Sequence, residues 1–247
     1  MTKKINDNEL VLPEFDIPFA NKLLAITQKM FTELDVSKID PTEIVLQKAY
    51  KTGKGAFDEL ILPLLKTKRH LLIFDADNFI MELLQSFYRL RLSIKLTQEL
   101  EYSDRTDMLE RISYFEENFH NEYFIFTERM IRYLNTLKNE YKKYKTDLKE
   151  LADEYKNIFT NHRDIRNEHI HLKRSFSNNY YKTVITDIAD RFEVKHELPA
   201  FEEEYRKLQK ENIEYMLKET SLLIKETNDL FLKFEMVFQN IFNECEG

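Results

Sequence analysis

Glycine is nearly missing from this 247-residue chain: it has three, where average usage of roughly 7% would supply about 17. Two of them stand in Gly53-Lys54-Gly55 and the third is Gly247. Neither a G-x-G-x-x-G turn nor a P-loop can be written, so a nucleotide cradle built from backbone amides is excluded. With only five prolines as well, the punctuation that many short strands need is absent, and the fold class that remains is all-helical. The lone Cys245 can form no intrachain disulfide and no thiolate zinc site, so nothing points to secretion. No apolar run approaches the ~18 to 20 residues that span a bilayer, and the opening MTKKINDNEL lacks the apolar core of a signal peptide. The expectation is a soluble, cytoplasmic protein with no membrane partner and no cofactor. A formal charge of -7, from 37 basic and 44 acidic residues, argues against a broad nucleic-acid footprint and leaves room for a small basic site.

The chain is 43% hydrophobic and 13% aromatic, enough for a real core. Residues 1 to 16 show no period and read as a loose arm. From Pro18, apolar residues recur at helical steps through Phe19, Leu23, Ile26 and Met30. Asp40-Pro41-Thr42-Glu43 is a helix-start signal, with an Asp cap, Pro in the first turn and Glu closing a capping box. That helix runs to about Tyr50, and Thr52-Gly53-Lys54-Gly55 breaks it. The organisation expected is an N-terminal helical extension over 1–66 and an antiparallel bundle of long helices over 67–247.

Within the bundle, a first long helix spans Leu71 to Leu100, with Leu71, Phe74, Asn78, Met81, Leu84, Phe87 or Tyr88, and Arg91 on one face. A second follows a Ser103 cap, with the stripe Leu109, Ile112, Phe115, Phe119, Tyr123, Phe126, Met130 and Leu134, and ends in Lys142-Lys143-Tyr144-Lys145. Leu148, Leu151, Tyr155 and Ile158 or Phe159 carry a third helix towards Asn161. Ser175 to Asn179 reads as a loop and Tyr180 to Phe192 as a short helix. From Pro199 a last helix reaches about Asn243 on Met216, Thr220, Leu223, Thr227, Leu230, Phe234, Val237 and Ile241. Such a stripe packs into a bundle more often than it pairs with a partner as a coiled coil.

Three of the six histidines fall between His162 and His171. From His162 to Arg174 the chain holds four basic residues and three histidines against two acids, the natural phosphate-binding stretch of an acidic protein. At about 100° per residue, His162, Arg166 and His169 share a helix face while His171 lies about 140° from Arg166. One straight helix cannot aim Arg166 and His171 at one atom. Either the helix bends or ends here, or two copies of the segment meet across a symmetric dimer. Residues of these types suit cleavage of RNA without a metal. An imidazole with a pKa of about 6.5 exchanges protons with the ribose 2'-hydroxyl and the leaving 5'-oxygen, and a guanidinium holds the charge on the phosphorane.

Arg166-Asn167-Glu168-His169-Ile170-His171 resembles the R-x4-6-H motif of the HEPN superfamily, including the polar residue directly after the Arg. The resemblance in helical layout covers about Leu71 to Phe192. It implies a helical bundle that dimerises through the motif face and acts as a metal-independent endoribonuclease, leaving a 2',3'-cyclic phosphate, as HEPN toxins and antiphage effectors do. It assigns Arg166 to the phosphate, His171 to acid or base catalysis and Asn167 to orienting the site. Arg163 and His169 make an overlapping match, so the catalytic histidine stays open. His162, Lys173, Arg174, Tyr180 and Tyr181 are placed to touch RNA. An antitoxin or regulatory partner is implied too, but toxins silenced by a nucleotidyltransferase carry a Tyr two residues after the motif His, and here Lys173 stands there.

Two other readings use the same residues. The fold can serve as a non-catalytic binding or structural protein, with the run from Arg166 to His171 as a solvated helix end. Glu117-x-x-His120 and Glu168-x-x-His171 repeat the spacing of ferritin-like di-iron bundles, although two further inward glutamates would be needed. The aromatics Tyr114, Phe115, Tyr123, Phe124 and Phe126 are read as core rather than as a base-stacking platform.

Overall fold

The computed structural model describes residues 12–14, 16–34, 64–100, 105–160 and 198–245. Among these the protein is helical and has no strand. Its elements are α1 (Pro18–Glu33), α2 (Lys68–Gln98), α3 (Arg105–Glu140), a 3-10 turn (Lys142–Tyr144), α4 (Lys145–Ile158) and α5 (Leu198–Glu244). The all-α bundle expected from the glycine shortage is therefore found. Residues 1–11 of the arm expected over 1–16, the helix after Asp40, the break at Gly53, the loop at Ser175 and the helix from Tyr180 lie outside the described residues. No helix among the described residues is long and apolar enough to cross a membrane.

Local chemistry sets the ends of these helices. Pro18 opens α1 after an extended Ile17, where its missing N–H costs nothing. Thr67 caps α2 by accepting a hydrogen bond from the His70 amide at 3.1 Å, so α2 begins three residues before the expected Leu71. At the other end of α2, Gln209 donates to the carbonyls of Thr97 at 2.6 Å and Leu100 at 3.2 Å. The last carbonyls of a helix have no partner within it, and this side chain supplies one.

The described residues fall into two compact units. The first draws on Met1–Asp16, Leu83–Arg132 and Ala152–Thr227, the second on Ile17–Glu82, Tyr133–Leu151 and Asn228–Gly247. In the first unit, Arg129 donates to Ser86 and Arg89 pairs with Glu122 at 3.2 Å, which sets α2 antiparallel to α3. Its core interleaves Leu83, Leu90 and Ile94 of α2 with Phe119, Tyr123 and Phe126 of α3, Tyr155 of α4 and Met216 and Leu223 of α5. All recur at steps of three and four, the spacing that keeps one helix face on a seam.

The second unit is built on rings. Phe19 of α1 stacks on Phe231 at 5.2 Å and meets Phe234 and Phe238 edge-on at 5.4 and 5.3 Å. Phe79 of α2 stacks on Tyr133 of α3 at 4.0 Å. Helix α1 lies in the stretch expected as an N-terminal extension, and its Phe19, Leu23 and Met30 are buried in this unit. The lysine run that ends α3 ties down the end of α5. Lys143 pairs with Glu244 at 3.1 Å, and the Tyr144 hydroxyl donates to the Asn240 carbonyl at 3.3 Å.

Three stripes were legible and one was displaced. On α3 the expected Ile112, Phe119, Tyr123, Phe126, Met130 and Leu134 are buried, Phe115 is only half-buried, and the Leu109 side chain lies outside the described residues. On α4 Phe159 takes the core position and Ile158 is exposed, and on α5 Phe238 is buried where Val237 had been expected. On α2, Phe74 and Phe87 of the expected stripe are buried, but Leu71, Met81 and Tyr88 are exposed, and the core also takes in Leu72, Ile73, Ala76, Phe79, Ile80, Leu83, Leu90, Ile94 and Thr97. Apolar residues stand on nearly every side of this helix, so its sequence admits two stripes, and packing selects the one with the regular four-three alternation.

Candidate functional site

The motif residues Arg163, Arg166, Asn167, His169 and His171 lie outside the described residues, as do His162, Lys173, Arg174, Tyr180 and Tyr181. What is described is the structure on either side of them. Helix α4 ends at Ile158, and the next residue, Phe159, is buried against Tyr155 at 4.8 Å and Tyr123 at 5.7 Å. Phe159 is thus the last described core side chain before His162. On the other side of the segment stands α5, whose first described core side chain is Leu208. Both flanks belong to the same unit.

That unit holds a buried polar seam that the sequence reading passed over. On α3, Ile112, Glu116, Phe119, Tyr123, Phe126 and Met130 follow one another at steps of four and three, and every one except Glu116 is apolar or aromatic. Burial pushes the Glu116 carboxyl up to about 7 from its ordinary 4.5 because a charge is less stable away from water. One turn on, His120 is 4% exposed, with its ring 5.8 Å from Phe119 and 5.8 Å from Tyr215 of α5. Burial raises the Tyr215 hydroxyl, and the negative charges of Glu219 and Glu116 raise it further. Tyr123 is raised in the same way by burial and by Glu219. The signal for this seam was present, as an acid in an apolar stripe, but one polar residue in a long pattern reads as noise until its neighbours are known.

Tyr155 closes the seam from α4. Its hydroxyl shares a hydrogen bond of 2.9 Å with Thr227, both groups buried. Desolvation raises the phenol and the hydrogen bond lowers it in part, so at neutral pH it is a structural hydroxyl rather than a phenolate.

The di-iron spacing is not assembled by its described half. Glu117 is exposed while His120 is buried, so the two side chains of this Glu-x-x-His do not turn together into the core. Among the described residues, no three of His, Cys, Asp and Glu converge as metal ligands. Glu168 and His171 lie outside them. The aromatic reading holds in part, since Phe115 and Phe124 are only half-buried. Tyr123 and Phe126 are core, as expected, but Tyr114 is 60% exposed, because position 114 falls on the far side of α3 from the Phe119 stripe.

Compared with protein-family models, with curated proteins and with solved structures, the chain matches none. The functional reading therefore rests on the residues themselves.

Proposed function

We propose that this protein is a metal-independent endoribonuclease of HEPN type, acting as a homodimer that brings two copies of the motif together. The observation that carries the reading is the run from Arg166 to His171, with Asn167 directly after the Arg, on a chain whose described part is all helix. With three glycines in the whole sequence, no backbone nest can hold the phosphate, so side chains must. Arg166 suits that place because its guanidinium stays charged and its fork matches two phosphate oxygens.

In the proposed reaction, His171 of one copy takes the proton from the ribose 2'-hydroxyl. The 2'-oxygen attacks phosphorus, Arg166 steadies the charge on the phosphorane oxygens, and Asn167 holds the phosphate in line. The bond from phosphorus to the 5'-oxygen breaks, and an imidazolium returns a proton to that oxygen. The products are a 2',3'-cyclic phosphate and a 5'-hydroxyl. His169 with Arg163 is the alternative pair, and His162, Lys173, Arg174, Tyr180 and Tyr181 would guide the strand. Such an activity fits a toxin or antiphage effector held in check by a partner.

The test is cleavage of single-stranded RNA in EDTA. Cleavage is expected in the wild type and should fall by about a hundredfold or more in Arg166→Ala or His171→Ala, with helicity unchanged. Loss in Arg163→Ala and His169→Ala instead would move the site to the overlapping pair. No cleavage by the wild type, with a stoichiometric protein partner on purification, would replace the enzyme by a binding module.

A further inference from the structure

We propose that Glu116 makes the packing of α3 against α5 in the first unit depend on a proton, the seam closing around a neutral carboxyl and loosening when that carboxyl ionises. The geometry comes from the stripe. Glu116 stands at a seam position, four residues after Ile112 and three before Phe119, whose side chains are 5% and 0% exposed. Among the described residues it makes no hydrogen bond and no ion pair. A carboxylate placed so has neither a partner nor full hydration, and both lacks favour the neutral acid.

Burial alone raises the Glu116 carboxyl, and the groups on the helices packed around it are few. From α5 the titratable groups are Tyr215 and Glu219, and from α4 Tyr155, reached through Tyr123. Glu219 and Glu116 both act on the Tyr215 hydroxyl, so ionising Glu116 adds a second negative charge beside that group. From α2, the antiparallel register set by the Arg89–Glu122 and Ser86–Arg129 pairs brings Ser93 and Thr97 to this level. Neither titrates, and their hydroxyls are already donated to Arg89 and Ser93 carbonyls of their own helix at 3.2 and 2.8 Å. On α3 itself stand Tyr123 and His120.

The sign follows from linkage. A carboxyl raised from 4.5 to about 7 on folding leaves the unfolded chain with fewer bound protons between those values, so stability falls as pH climbs through that window. The loss begins near 4.5 and is complete above about 7. The full displacement corresponds to roughly a three-hundredfold change in the folding equilibrium. Because Glu116 is half-buried, a tenfold to hundredfold change is expected, on the order that partial hydration leaves.

The experiment is urea unfolding of the full chain between pH 5 and pH 8, with hydrogen exchange read over residues 112–123 and 212–220. Wild type should lose about tenfold to a hundredfold in folding equilibrium relative to Glu116→Gln across this range, with faster exchange in those two segments at pH 8. A His120→Gln background removes the nearby imidazole, and the difference should persist in it. Identical pH profiles for wild type and Glu116→Gln would overturn the proposal. Should Glu116→Gln fail to fold, infrared titration of the wild type decides: a buried un-ionised carboxylic acid band present at pH 6 and lost by pH 8 is expected, and its absence at pH 6 overturns the proposal.

Discussion

Replacing Phe19 by alanine measures whether α1 is part of a core or an ornament on it. The ring is 4% exposed and touches three others, stacked on Phe231 at 5.2 Å and edge-on to Phe234 and Phe238 at 5.4 and 5.3 Å. Removing a buried Phe costs about 3 to 5 kcal/mol, made up of lost transfer energy and of the cavity left behind. The upper half of that range is expected here, because three rings lose favourable edge and face contacts worth about 0.5 to 1.5 kcal/mol each. Against a total stability of about 5 to 15 kcal/mol for a domain, that is a large fraction. Equilibrium urea unfolding followed by far-ultraviolet dichroism reads the change, with Leu24→Ala as control, since Leu24 is 51% exposed on the same helix. The control should shift by about 0.5 kcal/mol or less. A loss under about 1 kcal/mol for Phe19→Ala would refute the packing of α1 into the second unit and return it to the status of a detached extension.

Two of the buried tyrosine hydroxyls, those of Tyr155 and Tyr133, should respond with opposite signs. Tyr155→Phe removes half of the buried pair with Thr227 and should cost about 1 to 2 kcal/mol, whereas Tyr133→Phe removes a hydroxyl with no hydrogen-bond partner and should be neutral or stabilising by about 1 kcal/mol. Thermal melts of the two variants side by side check this, and destabilisation by both to the same degree would contradict it. Gln209→Ala strips the carbonyls at the end of α2 of their donor and should cost about 1 kcal/mol, read as a lower melting temperature and faster exchange in the last turn of α2; an unchanged melt would show that water serves as well. The proposed RNase and the proton-dependent seam carry their own tests, and the two are separable because Glu116→Gln should leave RNA cleavage near neutral pH within about threefold of wild type, a change worth only about 0.65 kcal/mol.

Much of this protein could be read before any coordinates, for reasons that differ by element. The ends of α3 and α5 fell within a few residues of expectation because the polar run at Lys142 and the Pro199 start are local signals. The α3 stripe was legible because its outer face is charged, so only one register is apolar. The α2 stripe was not, since Leu71, Met81 and Tyr88 look as buried as Leu72, Phe79 and Leu83 until a neighbour chooses between them. The Glu116 seam was missed for a related reason: a single acid in a stripe becomes informative only when Tyr215 and Glu219 from α5 are known to face the same seam. The proposed catalytic residues were legible solely through sequence, since Arg166 and His171 lie outside the described residues.

What the sequence alone determined is the class of the protein and the kind of chemistry open to it. Scarce glycine removes both strand turns and backbone phosphate nests, and apolar residues at three and four residue steps need nothing beyond the pitch of the helix to declare themselves. What only the tertiary structure decided is which of two apolar faces of α2 is the inner one, that α1 shares a core with the end of α5, and that Glu116 and Tyr215 stand across one seam. Those facts depend on which surfaces meet. Burial is a property of pairs of helices distant in sequence, and the desolvation that changes the chemistry of a carboxyl exists only once they have closed around it.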